Sequence, residues 1–296
     1  MDQRARHDQR NGRPWFTRIG WLGLLAMLAG ATLTRTADDD GVAAQAATPT
    51  SAALDAAWLA GKDWDDGAAV VSVFRGRIKR YGAWRAAEVR DYLIREYLDP
   101  EELTKRDEIR DGLIPVLKLN RHVTFSTGTY DYRRMTSLFL DRRSGGLVRA
   151  VGSSQDGCGL TFQRWARGVH SWDSYWEGEG SGRTDRPRTA NARFADETPY
   201  VARLLPDGAA LVEWPSLGGS RVKPWSPREY RLERGDREVV VRDEKGTERA
   251  RYAYDEKGFL LRWRIAGEEE LERVVKRRLY YWEHTAPGDE KLLRDD

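Results

Sequence analysis

The sequence predicts a mainly β protein, an antiparallel meander curled into an open barrel or half-barrel with one or two short helices packed on it, against the alternative of two stacked sheets. Three observations carry this. Asp243-Glu244-Lys245-Gly246 recurs twelve residues later as Asp255-Glu256-Lys257-Gly258, and a polar four-residue turn closing on glycine suits a hairpin whose last position takes positive φ. The middle of the chain is a series of short β-branched or aromatic runs bounded by Gly, Asn or Asp. Near the repeated turns, Leu261, Trp263 and Ile265 alternate with Leu260, Arg262 and Arg264, the period of two that marks strand structure.

The elements follow in order. Residues 51–61 read as a short helix, with Ser51 able to cap it, Leu54 and Trp58 on one face and Gly61 to stop it. Val70–Phe74 opens the β pattern and continues through basic residues to Gly82; Glu88–Leu98 is the second run, ended by Asp99-Pro100, and 99–112 is a charged connection. Strands are expected at Ile114–Asn120, Val123–Gly128, Met135–Asp141, Leu147–Gly152 and Leu160–Arg164. Residues 177–191, rich in Gly, Arg and Ser, read as an exposed loop, and Asp196–Leu205 as a helix capped by Asp196 and closed by Pro206. An open stretch over 217–227 precedes the final strands at Glu238–Arg242, Glu248–Tyr254, Phe259–Ile265 and Leu271–Glu283. With 12 Trp and 12 Tyr against 7 Phe, the bulky residues have an apolar body and a polar tip, which suits a sheet wet on one side. Lipocalins and LolA have this general shape.

Arg4, Arg6, Arg10, Arg13 and Arg18 followed by the uncharged run Ile19–Leu33 read as a signal peptide over 1–31, with cleavage at Ala29-Gly30-Ala31 or as late as Ala44-Gln45-Ala46. Residues 32–50 are expected as a disordered leader, 51–284 as a single β domain, and 285–296 as a flexible tail. The apolar run is shorter than the roughly 20 residues a spanning helix needs, so no transmembrane helix is expected in the mature chain. Removing residues 1–31 takes five arginines and two aspartates from 50 basic and 47 acidic residues, leaving 45 of each. That balance argues against a nucleic-acid partner. Export to the periplasm or beyond is the expected destination.

Cys158 is the single cysteine, so no internal disulfide is possible. As a nucleophile it would need a base, and His170 is the nearest histidine in sequence; the favoured reading is a buried, packed thiol. The histidines lack metal-ligand spacing, and no HExxH, CxxC, GxSxG or phosphate loop occurs, so neither metal nor cofactor is expected. Trp165, Trp172, Tyr175 and Trp176 form the densest aromatic group. With Gln155 they are the candidate ligand-binding residues, against the alternative that they fill the core.

Val116–Asn120, Phe125-Ser126-Thr127-Gly128-Thr129-Tyr130-Asp131-Tyr132 with Met135 and Ser137, and Ser154-Gln155-Asp156-Gly157-Cys158-Gly159 with Phe162 and Gln163 resemble a family of uncharacterised exported bacterial proteins. The likeness covers about residues 70–180. Members of that family often carry the label "septum formation inhibitor Maf", but the Ser-x-Ser-Pro-Arg-Arg element of the Maf nucleotide pyrophosphatases does not occur here. The resemblance implies export and no particular activity. Together these observations favour a non-enzymatic envelope protein that binds an apolar or amphipathic, lipid-like ligand on its curved sheet. The alternatives are a hydrolase or transferase using Cys158 and a carbohydrate-binding or scaffold module using the aromatics.

Overall fold

The structure, a computed structural model, describes residues 56–295 except 223 and 225. The expected signal peptide, the leader and Ser51 lie outside the described residues. What is described falls within one compact unit.

One sheet of fifteen strands forms the fold. Its first eight strands are β1 (Ala69–Arg80), β2 (Ala83–Leu98), β3 (Ile114–Ser126), β4 (Asp131–Asp141), β5 (Leu147–Gln155), β6 (Leu160–Ala166), β7 (Val169–Ser174) and β8 (Ser181–Asp185). The remainder are β9 (Ala192–Phe194), β10 (Ala210–Trp214), β11 (Arg228–Arg234), β12 (Glu238–Arg242), β13 (Glu248–Tyr254), β14 (Leu260–Ile265) and β15 (Glu269–Leu279). Successive strands pair as antiparallel neighbours from β1 out to β8, and β15 pairs back onto β1 and runs through β14 to β10. Only β9 departs from this, lying parallel to β10. The edges β8 and β9 are not joined in the ladder, so the sheet is open. It nevertheless curls far round: Trp165 on β6 meets Phe194 on β9 edge to face at 6.2 Å.

The two repeated turns behave as the sequence predicts. Gly246 and Gly258 take φ of 76° and 80°. In each turn the leading aspartate accepts two backbone N–H bonds, Asp243 from Lys245 and Thr247 and Asp255 from Lys257 and Phe259. These local bonds satisfy the donors a tight reversal leaves unpaired. The second turn also receives the start of the described chain. Helix α1 (Ala57–Ala60) places Trp58 against Trp64 and Phe259 at 5.1 and 5.6 Å, and its indole N–H donates to the Lys257 carbonyl at 2.9 Å.

Several expectations need revision. The two runs expected at 114–120 and 123–128 form one thirteen-residue strand, because Arg121 between them is buried on the inner face rather than breaking the ladder. Strand β8 runs through the expected loop at 177–191, and β7, β9, β10 and β11 were not legible as strands. Residues 196–205 hold only one helical turn, α2 (Thr198–Val201), followed by a 3-10 turn at Ala202–Leu204. The residue before α2 is Glu197, and no side chain caps it. Most of the core lies on the inner face of the sheet. A small second cluster sits on the outer face, where Tyr281 and Leu293 from the last residues pack on Ala69, Val71 and Ile94.

Candidate ligand cavity

The inner face of the sheet is not an empty trough. The chain from β9 through α2 to the end of the 215–222 loop crosses it, fixed by side chains of several strands. Buried Glu197 closes the entry turn: it accepts from the Phe194 N–H at 2.9 Å and from Arg188 at 2.8 Å. Asp196 gathers the far loop, accepting from the Leu217 N–H at 2.7 Å, the Ser216 hydroxyl at 2.8 Å and the Thr136 hydroxyl at 3.3 Å. Beyond it, Gln163 donates to the Leu217 carbonyl at 3.1 Å and Thr161 to that of Ser220 at 2.9 Å. Gly152 on β5 lets the loop in: a Cβ there would lie 2.2 Å from the carbonyl of Leu217.

The strongest attachment is a buried ion pair. Arg121 on β3 makes two 2.8 Å bonds to Asp91 on β2, a planar bidentate match. The Tyr200 hydroxyl of α2 bonds both partners. Burial opposes the arginine's charge, but Asp91 and Tyr200 outweigh it, so its pKa is raised. The guanidinium also lies over the Trp263 ring at 4.6 Å. Tyr200 thus joins α2 to the paired charges of β2 and β3, by its hydroxyl and by its ring, which lies 5.1 Å from the Arg121 guanidinium.

Between this crossing segment and the strands remains a cavity of about 410 Å³. Val89, Val123, Trp263 and Ile265 give it an apolar wall. Its charged residues are Arg121, Arg134, Arg228, Asp196, Glu213, Glu268 and Glu269, and most have protein partners. Arg121 is held by Asp91, Glu213 accepts from Thr198 at 3.1 Å and Glu269 from the Trp263 indole at 2.9 Å.

Arg134 differs. Its guanidinium lies 5.0 and 5.7 Å from the Phe125 and Tyr132 rings, yet it has no hydrogen bond or ion pair to any described residue. Its Nε is sealed from solvent without an acceptor, and burial lowers its pKa. Arg134 is half-buried, and Glu269 and Asp196 favour its charge only through space, so a cation here gains from an anion that can bond it directly. Burial also raises Asp196 despite its three donors, and pushes Glu213 up to about 7, with Asp196 and Glu268 adding repulsion. The site therefore combines an unpaired cation, two acids that resist ionisation and an apolar wall.

The residues singled out from sequence lie elsewhere. Cys158 is exposed, contrary to the packed thiol expected. The tight 156–159 turn leaves its side chain outside, with Asp156 accepting the Cys158 N–H at 2.7 Å. His170 is buried on the inner face, its ring bonded to Gln163 at 3.2 Å, and burial followed by repulsion from Arg186 depresses its pKa to about 4. It sits opposite Trp165, five residues along β6 from Leu160, roughly 17 Å from the turn that carries Cys158 at about 3.4 Å per residue. The two do not form a nucleophile–base pair.

The aromatics do not converge either. Trp165 is in the core, donating to the Arg186 carbonyl at 3.0 Å. Trp172 lies over Gly182 and donates to Glu179. Tyr175 is exposed and packs edge-on to Trp176, over which Arg221 stacks at 4.6 Å. Gln155 is exposed at the end of β5. None of them lines the cavity.

The sequence did hold a signal for the real constellation. Arg121 falls in phase with Leu119, Val123 and Phe125; Asp91 with Val89 and Leu93; Arg134 with Tyr132, Thr136 and Leu138. A charge at the buried phase of a strand is the mark of an interior polar site. Larger, open depressions exist, lined by ion pairs such as Arg251 with Glu238 at 2.8 Å and Arg77 with Glu270 at 2.6 Å. Among the described residues no group of three or more His, Cys, Asp or Glu is placed to hold a metal ion, and no helix is long and apolar enough to cross a membrane.

No family model matches the chain, and no curated protein does. Among solved structures, it is similar to a beta-barrel-like protein of domain of unknown function DUF1849 from Brucella abortus. That match has 8% identity and a TM-score of 0.41, over 71% of this chain and 96% of the other.

Proposed function

We propose that this chain is an exported, non-enzymatic binding protein that holds one small amphipathic molecule inside its curved sheet. The observation that carries the reading is the interior cavity of about 410 Å³, apolar on one wall and charged on the other. Its volume is within the usual range of about 300–1,000 Å³ for small-molecule sites, and the Asp91–Arg121–Tyr200 contact holds α2 beside it. The space suits a compact single-chain molecule, since the crossing segment occupies the rest of the inner face. Export is supported by the Arg4–Arg18 cluster followed by Ile19–Leu33.

Binding of the neutral fluorophore N-phenylnaphthylamine tests the cavity. The wild type should bind it with enhanced emission, and Ile265→Trp, which adds an indole to the cavity wall, should weaken binding about tenfold or more, as expected for a blocked site. Equal binding by both proteins would place the probe elsewhere and remove the proposal.

A further inference from the structure

Resting on that reading of the cavity, we infer that Arg134 is the seat of the ligand's head group, and that the ligand is a compact amphipathic monoanion, a carboxylate on a short hydrocarbon body. Of the cavity's other two arginines, Arg121 is engaged by Asp91 and Arg228 is exposed to solvent. Arg134 is the one of the three withdrawn from solvent without a hydrogen bond or ion pair within the described protein. Its stacking partners Phe125 and Tyr132, themselves face to face at 4.8 Å and 6°, fix the plane of the guanidinium without neutralising it. A planar fork held in place and still charged is organised to receive a planar two-oxygen anion.

The surrounding charges select among anions. Asp196, Glu213, Glu268 and Glu269 share the cavity with Arg134, and to the extent they are ionised they oppose negative charge that Arg134 does not offset. A carboxylate brings one charge for one arginine, whereas a phosphate dianion brings a second that has no partner. Val89, Val123 and Ile265 lie across the same space, where a hydrocarbon body would be withdrawn from water.

Competition against N-phenylnaphthylamine separates the possibilities, using decanoate, decanol and decylamine as chain-matched carboxylate, neutral and cationic probes at pH 7.5. The wild type should be displaced by decanoate about tenfold or more better than by decanol, the worth of a charge-assisted bond of about 1.5 kcal/mol or more. Arg134→Met, which keeps an unbranched apolar stem, should lose the decanoate preference, read as the ratio of decanoate to decanol competition measured within the same variant. Arg134→Lys, which keeps charge but not the fork, should retain part of it. Equal competition by decanoate and decanol, a stronger effect of decylamine, or an unchanged preference in Arg134→Met would overturn the assignment while leaving the cavity reading intact. Failure of the wild type to bind the fluorophore at all would instead refute the cavity reading and this inference with it.

Discussion

The wing formed by β6–β8 and the cavity region around β2–β4 are built from the same sheet, but they spend their polar residues in opposite ways. In the wing, every candidate is locally satisfied or turned outward: His170 is neutral and bonded to Gln163, Trp165 and Trp172 donate to backbone carbonyls, and Cys158 is outside on a tight turn. Around β2–β4, charged side chains occupy the buried phase of their strands, and one of them, Arg134, is left without a partner. The difference teaches that density of unusual residues along the sequence is a poor guide to a site in a β protein. A charge at the wrong phase of an apolar alternation is a better one.

The largest expected contrast is in stability. Asp91→Ala leaves Arg121 buried without its carboxylate, a change that costs about 3–5 kcal/mol, whereas Cys158→Ser on the exposed turn should stay within about 0.5 kcal/mol of wild type. Urea unfolding of both variants measures this directly. Similar losses in the two would erase the distinction between the regions.

A second contrast separates rigid from yielding neighbours. At Gly152 an added Cβ meets the backbone of Leu217 at 2.2 Å, but at Gly157 it meets only the Tyr130 ring at 2.9 Å. Gly152→Ala must push the crossing loop off the sheet and should cost about 1–3 kcal/mol, with Gly157→Ala costing less because a side chain can swing aside. Thermal unfolding orders the pair; the reverse order would mean that the loop is not fixed where the structure has it.

A third contrast is a difference of sign with pH. Glu213 titrates near 7 in the folded protein against an ordinary value of 4.5, so the unfolded chain releases its proton first. Its contribution is most favourable below 4.5 and is lost as pH rises to about 7. His170 runs the other way: its value of about 4 against 6.5 means that the unfolded chain takes up a proton first as pH falls, and stability is lost between 6.5 and 4. Glu213→Gln should therefore match wild type near pH 4.5 and exceed it at pH 8 by roughly 1–3 kcal/mol. His170→Gln should instead lessen the loss on acidification. Parallel pH curves for wild type and Glu213→Gln would show that the cavity does not penalise the ionised acid.

The meander was legible because turns are local: Asp243–Gly246 and Asp255–Gly258 each carry the aspartate and glycine that their geometry requires. The long β3 was not, because Arg121-His122 looks like a polar break until Asp91, thirty residues earlier, is known to face it. Asp196 read as a helix cap for the same reason. Its partners Ser216 and Leu217 are twenty residues on, and a side chain with nearby donors in sequence looks local until the fold offers better ones. The cavity itself is assembled from β1–β4, the α2 region, β10, β11 and the chain between them, and β14–β15, so no single stretch of sequence contains it.

Native mass spectrometry of the wild type and Ile265→Trp, both recovered from the protein's own cells without added ligand, tests the central claim most directly. A single small acidic molecule should accompany the wild type in a one-to-one ratio and be missing from Ile265→Trp. A wild type that is repeatedly recovered bare, or the same adduct on both proteins, would contradict an interior binding site.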